Sequence, residues 1–78
     1  MTWHLLEFEK EGSGLKADFS LSAVVDDELV KSLVGDHPNL KYDVFPLGRS
    51  ALSHLLQVFP VEVNEKSSDY FLEYGFSE

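Results

Sequence analysis

Apolar and polar residues alternate at the start of the chain. Over residues 3–9, His4, Leu6 and Phe8 fall on one side, with Trp3, Leu5 and Glu7 on the other. Alternation with period two reads as a β-strand. Residues 10–14 then form a turn, with Gly12 and Gly14 free to adopt positive φ. Over residues 15–23 the pattern returns: Leu15, Ala17, Phe19, Leu21 and Ala23 share one face, and Lys16, Asp18, Ser20 and Ser22 the other. The two segments predict an antiparallel hairpin with one wet face.

The period then changes. Asp26 is placed to cap a helix, and the acids after it suit the positive end of the helix dipole. Leu29 with Leu33 and Val30 with Val34 give an i,i+4 stripe, and Gly35 suits the residue just past a helix end. After a turn at residues 36–39, residues 41–47 read as a short strand. Pro46 consigns it to a sheet edge or ends it. A second helix carries Ala51, Leu52, Leu55, Leu56 and Phe59 on one face and is expected to run to Pro60. Residues 61–63 alternate briefly and allow one more short strand. Residues 69–76 form the last strand, with Tyr70, Leu72, Tyr74 and Phe76 opposite Phe71 and Glu73. The expected fold is α+β: one domain over residues 1–78, order β-β-α-β-α-β. An antiparallel sheet of about four strands carries both short helices on one face.

Composition narrows the function. The 78 residues include no cysteine, which points to a reducing compartment. No basic start followed by an apolar run marks an export signal, and no segment is long enough to span a membrane. The expectation is a cytoplasmic protein. Fourteen acids against six bases give a net charge of −8. Such a field repels nucleic acid and anionic membrane and draws in basic partners, although acidity also serves plain solubility.

Catalysis finds little support in the residues. The chain lacks a cysteine nucleophile and a phosphate-cradling glycine loop. His4, His37 and His54 lack metal-ligand spacing, and Asp26, Asp27 and Glu28 are explained by helix capping. The expectation is a binding protein that is not an enzyme and uses neither cofactor nor metal. The last third is the candidate surface. There Glu62, Glu65, Asp69, Glu73 and Glu78 stand against Lys66, interleaved with Tyr70, Phe71 and Tyr74. Aromatic anchors among charges are what protein interfaces use. The competing reading makes all three aromatics core and the acids ordinary surface.

Three short stretches carry a family resemblance: Trp3-His4-Leu5-Leu6-Glu7-Phe8, Tyr42-Asp43-Val44-Phe45-Pro46, and Asp69-Tyr70-Phe71-Leu72-Glu73. With Leu55-Leu56-Gln57 they resemble small acidic bacterial immunity proteins, of the cloacin-immunity type and of contact-dependent growth inhibition systems. The resemblance implies a cytoplasmic monomer that neutralises a basic toxin domain, a nuclease, one-to-one, with no direct contact to nucleic acid or membrane. The partner-binding residues expected are Glu62, Glu65, Asp69, Phe71, Glu73 and Asp43. The alternative is an acidic chaperone or adaptor for a secreted effector, which would favour a dimer.

Overall fold

A computed structural model describes residues 1–12, 14–21 and 25–75. Six elements follow in the expected order: β1 (Thr2–Glu9), β2 (Leu15–Ser20), α1 (Asp27–Val34), β3 (Val44–Pro46), α2 (Arg49–Leu56) and β4 (Ser68–Gly75). The strands form an antiparallel sheet ordered β2-β1-β4-β3. The first and last strands of the chain thus pair at its centre, Leu5 opposite Leu72 and Trp3 opposite Tyr74. β3 lies at an edge, as Pro46 dictates.

The helices cover the face that carries Trp3, Leu5, Leu72 and Phe45. Val30 of α1 and Leu52 and Leu55 of α2 join these residues, with Leu21, Val25, Leu40 and Tyr70, in one buried cluster. Burying each such leucine is worth about 1.5–3 kcal/mol. α1 is closed at both ends. The Asp26 carboxylate accepts the Leu29 N–H at 2.9 Å, and Gly35, at φ 90°, donates its N–H to the Lys31 carbonyl.

Four expectations need correction. First, the β1–β2 register shifts between Glu7 and Phe8, so Glu7 pairs with Ala17 but Phe8 with Leu15. The extra residue in β2 turns Leu15 away from the Phe19 face, and Leu15 is 52% exposed. Second, α2 closes at Leu56, short of Pro60, because Val58 and Phe59 both donate to the Leu55 carbonyl in a tight final turn. Third, residues 61–63 form no strand. Val61 and Val63 are half-buried against the core while Glu62 is exposed, so their alternation records a segment crossing the core surface. Fourth, β3 covers only Val44–Pro46. Residues 22, 23 and 76, included in the expected strands, lie outside the described residues. No helix of the described residues is long and apolar enough to cross a membrane.

Candidate functional site: an acidic and aromatic strip at the sheet edge

The sheet face turned away from the helices follows from the pairing. Phe45 and Leu72 are core partners, so the residues beside them point the other way. Val44 lies opposite Glu73, and Pro46 opposite Phe71. Asp69, two residues before Phe71, shares its face and pairs with Phe8. The Phe8 and Phe71 rings meet edge to face with centroids 5.5 Å apart. In the middle of this face His4 and Leu6 are buried. Toward the β3 edge the surface opens: Val44 is 51% exposed, and Glu73 and Asp69 are exposed. At the head of β3 stand Asp43, also exposed, and Tyr42, at 89% the most exposed large hydrophobic residue described. Val44, Glu73, Phe71 and Asp69 therefore form a strip on this face of β3 and β4, with Tyr42 and Asp43 in the turn just ahead of it.

The strip ends in a cleft. Past Pro46 the chain leaves the sheet, donating the Leu47 N–H to the Tyr70 carbonyl at 2.8 Å, and enters α2. The gap so left has a volume of about 280 Å³, with Leu52 and Tyr70 among its lining and Pro46, Phe71, Asp69 and Glu65 beside them. Two ion pairs stand here: Lys10 Nζ to Asp69 Oδ1 at 3.5 Å and Arg49 Nε to Glu65 Oε2 at 3.4 Å. All four side chains are more than a third exposed, so water screens both contacts and each holds little energy.

A buried polar network fixes the start of β4. The Glu7 carboxylate, drawn into the core end of β1, accepts from Ser68 Oγ at 2.7 Å and from the Tyr70 hydroxyl at 3.0 Å. The Asn64 N–H donates to the same hydroxyl at 2.8 Å. Burial, above all, pushes the Tyr70 phenol above its ordinary pKa, so it stays a neutral donor toward Glu7. A buried carboxylate is tolerable only with such partners, and they hold the backbone from which Asp69 and Phe71 project.

The strip and cleft offer carboxylates and apolar surface on a rigid edge, a combination suited to cationic side chains with apolar stems. Among the described residues, no three His, Asp or Glu side chains converge as a metal site would require. His4 Nδ1 lies 2.7 Å from Asp18 Oδ1, and its Nε2 is buried without a partner among the described residues.

Of the residues expected from sequence, Asp69, Phe71 and Glu73 share the strip, and Asp43 lies in the turn just ahead of β3. Glu65 joins them through the cleft. Glu62 is exposed on the α2–β4 connection and is not among the residues lining the cleft. Sequence reasoning missed Tyr42, Val44 and Pro46, which only the β3–β4 register brings beside the acids. Their signal was the Tyr42-Asp43 step ahead of a proline-ended edge strand. No family model matches the chain, and neither a curated protein nor a solved structure matches it.

Proposed function

We propose that the chain is an immunity protein, which binds a basic toxin domain through the β3–β4 strip and holds it inactive. The observation that carries this reading is the strip itself: exposed Glu73 and Asp69 on one face with exposed Val44 and half-buried Phe71, flanked by exposed Tyr42 and Asp43 ahead of β3 and by Glu65 at the cleft. A nuclease must present cations to a polyanion, so its working face complements such a strip. The net charge of −8 would speed capture of that face. Desolvated aromatic and aliphatic groups would slow release. The short resemblance to acidic immunity proteins points the same way.

The test is to express the C-terminal region encoded by the adjacent gene, with and without this protein, and to measure growth and co-purification. Relief of toxicity with a one-to-one complex supports the reading. A complex without any toxicity to relieve would favour the adaptor for a secreted effector, and no complex would remove the proposal.

A further inference from the structure

Both helices pack against the Trp3 and Leu5 face, which leaves the other face of the four strands without a helix. Directly opposed residues of antiparallel strands share a face, so the pairings map its side chains. Leu6 stands between Asp18 of β2 and Phe71 of β4, and Phe8 stands between Leu15 and Asp69. Glu73 has His4 on one side and Val44 on the other. The centre of the face is therefore apolar, built on Leu6 and the Phe8–Phe71 ring pair, with exposed Leu15 at its β2 end. Carboxylates border that centre on both sides: Asp18 on β2, Asp69 and Glu73 on β4.

Cations stand apart from this centre. Lys16, within β2, sits at the bulge and reaches toward Glu7 on the helix-covered face, at 3.9 Å. Lys10 approaches Asp69 from the end of β1. Asp18 is held in place, since His4 Nδ1 lies 2.7 Å from its Oδ1, yet its side chain stays 47% exposed. A charge already fixed in position loses less freedom on binding than a mobile one.

We infer that the interface extends from the β3–β4 strip across β1 to β2, and that it receives a cationic amphipathic helix of the partner. This rests on the strip serving as an interface, whatever the partner's activity. Charge and width select the occupant. β2 and β4 lie two strand spacings apart, roughly 10 Å, and a helix with its side chains is about 10–12 Å across. A helix laid along β1 sets its apolar stripe on Leu6, Phe8 and Phe71. Lysines or arginines flanking that stripe then meet Asp18 on one side and Asp69 and Glu73 on the other. An anionic helix would face three carboxylates, and a second copy of this acidic chain would bring like charge. A further strand would pair at a sheet edge and leave the Phe8–Phe71 centre uncovered.

The probe is a synthetic four-turn helix of about 14 residues, with leucines at i, i+3, i+4 and i+7 spacing and lysines on both flanks. It is titrated into the isotope-labelled chain at physiological ionic strength, and amide chemical shifts are followed. Shifts are expected at Leu6, Phe8, Leu15 and Asp18 together with Phe71 and Glu73, while α1 and α2 hold still. Asp18→Asn keeps an acceptor for His4 and should weaken peptide binding by about threefold or more. Should that variant fail to fold by circular dichroism, Leu15→Ser, at an exposed position, should weaken it likewise. Glu28→Gln removes the same charge from an exposed site on α1 and should change binding little. Shifts confined to β3 and β4 would overturn the inference and leave the strip standing. No shifts, shifts centred on the helices, or equal losses from Asp18→Asn and Glu28→Gln would also overturn it, the last by showing that total charge alone binds. Failure of the immunity reading shows separately, in the growth measurement.

Discussion

Trp3 shows how a single side chain joins packing to electrostatics. Its ring is 2% exposed, and its Nε1–H donates to Asp27 Oδ1 at 3.0 Å. The other oxygen of that carboxylate meets Lys41 Nζ at 3.2 Å, and Lys41 also sits 4.8 Å from the centre of the Tyr74 ring. The indole hydrogen bond first, and Lys41 after it, hold the Asp27 carboxyl below its ordinary pKa. A depressed folded pKa stabilises the fold above the unfolded value, here 3.8, and the contribution is lost as pH falls through the folded value. Fluorescence of the lone tryptophan should therefore report acid unfolding, and in Asp27→Asn the stability curve should flatten below about pH 4. An unchanged acid limb would remove Asp27 from the account. Asp26 acts on the same turn by capping, and Asp26→Ala should cost about 1 kcal/mol in urea unfolding. The deepest residues matter more. Leu55 is fully buried, and Leu55→Ala should cost roughly 2–5 kcal/mol. In a domain of this size that is enough to leave much of the chain unfolded at 37 °C.

At the scale of elements, the hydrophobic pattern revealed most of the fold because each element buries one side. The stripe of α1, its Asp26 cap and its Gly35 stop are all local chemistry, legible before any tertiary contact. Gly35→Ala should destabilise by about 1 kcal/mol or more, since φ 90° is costly for a residue with a Cβ; thermal melts would measure it. What could not be read locally was set by neighbours. Leu15 leaves the apolar face because of one extra residue against β1, and periodicity carries no record of a partner strand's register. Residues 61–63 alternate like a strand because they graze the core, and alternation alone does not tell grazing from pairing. The candidate site divides the same way. Asp69, Phe71 and Glu73 were legible as successive residues on β4. Their pairing with Val44 and Pro46 depends on β4 returning beside β3 after α2 has intervened. Glu62 looked equivalent to these acids in sequence but lies on the α2–β4 connection, outside the sheet.

At the scale of the whole molecule, a −8 charge acts as a field, and under the proposed function the strip is where that field meets a partner. In the proposed complex, long-range attraction to a basic surface would be screened by salt, while contacts buried at Phe71 and Tyr42 would not. Complex formation should slow as salt rises, by about tenfold or more in association rate between low and physiological ionic strength, with dissociation changing little. Stopped-flow mixing separates the two rates. The most direct test of the account is the affinity of the co-purified partner for charge-reversed forms of the chain. Asp69→Lys and Glu73→Lys, both exposed and on the strip, should each weaken binding by tenfold or more while melting temperature holds within a few degrees. Glu62→Lys, with the same change in net charge, should weaken it far less. Equal losses from all three would show that only total charge matters, and unchanged binding in Asp69→Lys and Glu73→Lys would contradict the strip as the interface.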